Sequence, residues 1–203
     1  WFDDIHRDHK KAVYTDFYFL GFPCQSFSMA GKRLGFEDTR GNVFFEGLKH
    51  IKNAKPKVFV LENVKGLVTH DKGDTMKVIL KALNKLSLYN IYHKVLNSKD
   101  YGVPHNRERI FIVGIMKSKQ KNEFKFPAEH KKIPHISTFF DKNPDKALQR
   151  LSNYEQSTVE YHKTRFKQLK NIDISKENYI IDAGASPEFS SIMKNVSPCL
   201  KAS

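Results

Sequence analysis

The chain has 203 residues, of which 39% are hydrophobic and 28% charged, a balance that suits a globular domain with a core of its own. Its net charge of +13, from 35 Lys and Arg against 22 Asp and Glu, favours polyanionic partners, nucleic acid first. No apolar run approaches the roughly 20 residues needed to cross a bilayer. The opening residues, WFDDIHRDHK, are charged and do not look like a signal peptide.

Two cysteines, Cys24 and Cys199, make no disulfide framework, so a reducing, cytoplasmic setting is expected. The positive excess is shared: residues 1–114 hold 19 basic and 12 acidic residues, and residues 115–203 hold 16 and 10. A basic face spanning both parts is expected rather than a basic tail.

Taken in chain order, DFYFLG (Asp16–Gly21) reads as a short buried strand that ends at Pro23 and Cys24. A polar loop with Gly31, Gly35 and Gly41 follows. NVFFEGLKHI puts Phe44, Leu48 and Ile51 on one helical face, with Val43 nearby and Asn42 as N-cap. Lys57–Glu62 is a second apolar strand, preceded by Pro56. TMKVILKALNKL sets Met76, Ile79, Leu80, Leu83 and Leu86 at helical spacing. Ile91–Leu96 alternates like a strand, and Arg109–Ile115 reads as a final buried strand.

Strand, helix, strand, helix, strand, loop, strand is the order of an α/β layered domain. Beyond Ile115, KSKQKNEFKF reads as a polar linker, and IPHISTFFDKNPD as a loop and turn. Residues 150–203 show weak periodicity and read as an irregular second region.

Ligands of such sheets sit outside the carboxyl ends of the strands. The first apolar run leads to Cys24 and the second to Glu62, 38 positions later. If the two strands are parallel neighbours, both groups meet in one crevice. A lone cysteine is usually a small buried hydrophobe, but one that opens a polar loop is accessible. Accessible thiols near positive charge ionise readily and act as nucleophiles.

A carboxyl at the end of an apolar strand is partly desolvated, which suits Glu62 to hold or give a proton. The alternative is a carboxylate that braces the loop. Asn63, beside it, reads as bracing the turn. Arg107 and Arg109 are two apart on entering a strand, so their side chains share a face. Forked donors there suit a carbonyl oxygen, a carboxylate or a phosphate. Two ordinary surface arginines are the plainer reading.

Together GFPCQSFS, LENV and HNRERIFIVG, in this order and spacing, resemble the motifs of C5-cytosine DNA methyltransferases of the bacterial restriction–modification type. His105 stands where that family usually has glutamine. DTRGNVFFE is similar to the family's helix after the catalytic loop. The resemblance covers residues 4–115, and the tail GASPEFSSIMKNVSPCLKAS more loosely resembles the start of the target-recognition region.

The fold this resemblance implies is a Rossmann-like S-adenosylmethionine-dependent methyltransferase sheet with helices on both faces, followed by the start of a smaller irregular target-recognition region. The implied boundaries are a partial catalytic domain at 1–115, a linker at 116–149 and the recognition region at 150–203. The implied catalytic residues are Cys24, Glu62, Arg107 and Arg109. Asp4, Pro23 and Val43 would lie at the cofactor, and Ser26, Ser28, Lys32, Arg33 and Arg40 at the DNA.

S-adenosylmethionine is the implied cofactor, with no metal, and double-stranded DNA the implied partner of a monomer. The family's glycine-rich cofactor loop and final cofactor motif have no counterpart here, so the chain reads as a fragment or one part of a split enzyme. The alternatives are a tRNA cytosine-5 methyltransferase and a non-catalytic nucleic-acid-binding relative. Phe22-Pro23-Cys24 favours DNA, since the tRNA-modifying relatives carry a second proline before the cysteine.

Overall fold

The structure, a computed structural model, describes residues 13–23, 43–130, 132, 134–143 and 150–199. Asp4, Cys24, Ser26, Ser28, Lys32, Arg33, Arg40 and Asn42 lie outside the described residues. The chain divides into two compact units. The first takes in residues up to Leu96 together with Glu108–Pro127, and the second Asn97–Arg107 together with Ala128–Ser203.

The first unit is a mixed α/β layer. Its sheet is built from β1 (Phe17–Gly21), β2 (Val58–Val64), β3 (Tyr89–Asn97) and β4 (Glu108–Met116), in the spatial order β1-β2-β4-β3. β1 and β2 are parallel, with Phe17 opposite Val58 and Gly21 opposite Glu62. β2 and β4 are antiparallel, with Glu62 opposite Phe111 and Val64 opposite Arg109. Between the strands come α1 (Val43–Ala54), the single turn α2 (Gly66–Thr69) and α3 (Asp74–Asn84).

The helical spacings read from the sequence set the core. Phe44 and Ile51 of α1, and Met76, Ile79 and Leu83 of α3, are buried against Phe59 and Leu61 of β2 and Ile110 and Ile112 of β4. Removing each such large side chain from water contributes about 1.5–3 kcal/mol.

Strand β1 departs from its expectation as a buried strand. Tyr18 and Leu20 pack on the core, but Phe17 and Phe19 are 63% and 70% exposed. The physical reason is position. Alternate residues of a strand point to opposite faces, and among the described residues only the face of β1 that carries Tyr18 and Leu20 packs on the core.

Residues 117–126 also differ from a free linker. Asn90 Nδ2 donates to Gln120 Oε1 at 2.7 Å, and Gln120 Nε2 donates to Tyr92 Oη at 2.9 Å. The Phe124 ring lies 5.1 Å from that of Tyr92. A polar composition hid a strip tied to β3 by one glutamine and one ring.

The second unit contains α4 (Asn153–Lys170) and a two-stranded antiparallel pair, β5 (Tyr179–Ile181) and β6 (Ile192–Lys194). An 18-residue helix in a segment read as irregular is a correction. Few of its residues are apolar, so periodicity did not reveal it. Its signal was at the end. Ser152 and Glu155 form a reciprocal capping box, and Asn171 closes the helix in the left-handed conformation.

Candidate active site

The parallel pairing of β1 and β2 brings Gly21 level with Glu62 at the carboxyl end of both strands. The Phe22 N–H donates to the Glu62 carbonyl at 3.4 Å, so the chain leaves β1 still tied to β2. Two residues later it reaches Cys24. A Cβ on Gly21 would lie 3.4 Å from Glu62 Oε2, so the carboxylate rests against the bare backbone of the neighbouring strand.

Glu62 and Asn63 are adjacent in a strand and therefore point to opposite faces. Asn63 is buried, and its Nδ2 donates to the Phe22 carbonyl at 2.8 Å, while its Oδ1 accepts the Val64 N–H at 2.8 Å. The turn-bracing role read from the sequence is only half of this. The same side chain also pins the segment that leads to Cys24, 41 positions earlier in sequence.

Glu62 turns the other way and meets Arg109. Arg109 stands opposite Val64 in the ladder, so it is the diagonal cross-strand neighbour of Glu62 on the same face. Arg109 Nε lies 3.0 Å from Glu62 Oε1, and Arg109 Nη1 donates to the Glu108 carbonyl at 2.8 Å. The guanidinium side chain is 15% exposed and the carboxylate side chain 36%. The cation of the pair is thus the more enclosed partner, and its carboxylate the more open one.

The competing carboxylate of Glu108 is occupied by Lys65, at 2.8 Å. A planar fork fixed by one backbone carbonyl and one carboxylate is a directional support, which a lysine could not reproduce.

Arg107 precedes β4 and belongs to the second unit. Its backbone N–H donates to Asn97 Oδ1 at 3.0 Å, and Asn97 Nδ2 donates to Asn106 Oδ1 at 2.8 Å. Asn97 is buried and organises this stretch, yet nothing in its sequence context marked it. His105, which stands where glutamine was expected, is held through its backbone. Its carbonyl accepts from Ser98 Oγ, and the residue bridges Ser197 in parallel register.

Of the residues assigned to the cofactor, Pro23 and Val43 are described. Pro23 follows the end of β1 and Val43 opens α1. Both are apolar, so they fit the apolar side of a nucleoside or a methyl-bearing sulfur and offer no side-chain hydrogen bond to its polar groups. Among the described residues no group of three or more His, Cys, Asp or Glu is arranged to hold a metal, and no helix is long and apolar enough to cross a membrane.

The family description "C-5 cytosine-specific DNA methylase" matches residues 1–198. The chain belongs to this family. It is 52% identical over 126 residues to the Type II methyltransferase M.HaeII of Haemophilus aegyptius, covering 62% of this chain and 38% of that one. It is 43% identical over 177 residues to the Type II methyltransferase M.HpaII of Haemophilus parainfluenzae, covering 84% and 49%.

The chain therefore spans half or less of the length of these two relatives. A solved structure of the Entamoeba histolytica methyltransferase EhMeth aligns with 72% of this chain and 44% of its own, at 23% identity and a TM-score of 0.48. Within this C5-methylase frame, Glu62 and Arg109 are the described members of the candidate site that meet each other directly.

Proposed function

We propose that this C5-methylase chain carries the reacting centre of a DNA cytosine-5 methyltransferase, acting on a cytosine turned out of duplex DNA. The single observation that supports this most is the Glu62–Arg109 pair on β2 and β4, with Glu62 level with Gly21 at the end of β1, from which the chain runs to Cys24.

In this reading Cys24, as thiolate, adds to C6 of cytosine and forms a C–S bond. The C5–C6 π electrons move toward C5 and the N3 side of the ring. Glu62 holds a proton at N3 and so stabilises the charge that develops there. Arg109 orients Glu62 and faces O2, and Arg107 adds positive potential. S-adenosylmethionine supplies the electrophilic methyl group when bound. Loss of the C5 proton then returns an electron pair to the ring, the C–S bond breaks, and Cys24 leaves as thiolate.

Pro23 and Val43 would flank the cofactor's apolar side, with Asp4 as its polar contact. The target must leave the stack because neither ring face is reachable within it. Ser26 and Ser28 would approach the DNA, and Lys32, Arg33 and Arg40 would neutralise phosphates.

The test is covalent trapping on duplex DNA that carries 5-fluorocytosine, with S-adenosylmethionine present. Fluorine at C5 cannot leave as a proton does, so the adduct persists. An adduct that is absent in Cys24→Ala supports the reading. No adduct on any cytosine-containing duplex overturns it, and an adduct on tRNA alone would transfer the activity to RNA.

A further inference from the structure

The first unit contains a second concave surface away from Glu62. It is a groove of about 910 Å³ between α1, α3 and the segment after α3. Its floor is apolar: Phe45 and Leu48 from α1, and Leu86 and Leu88 from the segment after α3. Phe45, Leu48 and Leu86 are only partly buried, and Leu88 is 47% exposed.

Five lysines border it: Lys49, Lys52 and Lys55 on one side, Lys81 and Lys85 on the other. No acidic residue is among its lining. Lys49 pairs with Glu46 at 2.8 Å, and among the described residues no ion pair engages the other four.

Lysines near helix C-termini are common because they offset the helix dipole. Each helix end contributes only about half a negative charge. Two ends and Glu46 together offset about two of the five positive charges, so roughly three remain around an apolar floor. That residue of charge calls for an anionic partner, and the floor calls for apolar side chains within it.

A nucleic-acid backbone matches the first requirement and leaves the floor uncovered. A second copy of this chain fails on charge, since the chain is at +13 and the longest helix among the described residues, α4, carries Lys163, Arg165, Lys167 and Lys170. The Lys55 border of the groove also lies at the other end of β2 from Glu62. Lys55 precedes β2, and Glu62 lies four residues into it, about 13 Å along the strand at ~3.3 Å per residue.

We infer that this lysine-bordered groove between α1 and α3 is a docking site for an acidic amphipathic helix of a partner protein, with apolar side chains on the floor and Asp or Glu along both flanks. Recognition would follow the helix-in-groove mode, with anchors spaced at i, i+4 and i+7.

The probe is a fluorescein-labelled 18-residue peptide of Glu and Leu with every Leu on one helical face, titrated into the protein and followed by anisotropy. The expected result is saturable binding with a Kd of about 10 µM, which weakens as salt rises. Lys52→Glu with Lys85→Glu should weaken it at least about ten-fold, with DNA adduct formation unchanged.

Leu88→Ser, at an exposed position, should weaken the same peptide and leave circular dichroism unaltered. Equal binding of a scrambled peptide of the same composition overturns the inference. So does indifference to the lysine reversals. Displacement of the peptide by a short DNA duplex whose own affinity falls in the same lysine variant would assign the surface to nucleic acid instead.

Discussion

Asn63 holds the carbonyl of Phe22 at 2.8 Å from the strand next to it, so the chain segment that leads to the cysteine loop is fastened to the strand that carries Glu62. The bond is buried, which makes its loss costly. Asn63→Ala removes the bonds to the Phe22 carbonyl and the Val64 N–H, at about 1–3 kcal/mol. The expected outcome is a lower urea midpoint together with slower adduct formation on fluorinated DNA. A stability loss with unchanged adduct rate would reduce Asn63 to a structural brace.

Arg109 should matter far more to rate than to stability. Its pair with Glu62 is partly exposed, and such pairs contribute under about 1 kcal/mol. Losing one directed donor in a reacting centre costs on the order of 10²–10³ in rate. Arg109→Lys keeps the charge but cannot form the fork that links Glu62 to the Glu108 carbonyl. Single-turnover methylation should therefore fall in both Arg109→Lys and Arg109→Ala, with nearly unchanged unfolding curves. Full activity in the lysine variant would show that charge alone is needed.

What the sequence made legible follows from the physics each feature rests on. Helices α1 and α3 were visible because Phe44 and Ile51, and Met76, Ile79 and Leu83, repeat at helical spacing and are buried. The parallel placement of Gly21 beside Glu62 was open to inference from strand order and loop length. The diagonal contact of Glu62 with Arg109 does not follow from strand order or periodicity, because it depends on antiparallel register between strands 47 positions apart in sequence.

Phe17 and Phe19 misled because an apolar run does not say which of its faces is covered. Helix α4 was missed because only Thr158 and His162 among its residues are buried, so no apolar stripe announced it. Its Ser152–Glu155 box did, at a single turn.

His162 on α4 should make stability depend on pH. The ring is 1% exposed, and neither nitrogen has a hydrogen-bond partner among the described residues. Burial, and then the positive charge of Arg165, hold its pKa below the ordinary value of 6.5. In the unfolded chain the ring takes up a proton near 6.5; in the folded chain it does so only at lower pH. Between those two values the unfolded state binds more protons, so stability is full above about 6.5 and falls as pH drops toward the folded value.

His162→Leu removes the titration and two unpartnered buried nitrogens. Urea midpoints for the variant should match or exceed those of the native chain at pH 7.5, and should exceed them by more at pH 5.5. An equal gap at both pH values would refute the assignment.

Gly114 offers the sharpest packing test. It stands opposite Phe59 in the β2–β4 ladder, and a Cβ built on it would clash with Cε1 and Cζ of the Phe59 ring. That ring cannot swing aside freely, because it is fully buried and meets Tyr89 edge-on at 5.1 Å. Tyr89 is itself fixed by its hydroxyl, which donates to the Pro56 carbonyl at 2.8 Å. A methyl group at position 114 must therefore move Phe59, and through it the contact with Tyr89. Gly114→Ala should destabilise by about 1–3 kcal/mol, as overpacked cores do. Adding Phe59→Leu makes room in the same place, so the double variant should lose less than the sum of the two single changes. Unfolding midpoints for the four proteins give that coupling directly. Strict additivity would mean that the Gly114 backbone, and not the Phe59 ring, yields to the added methyl.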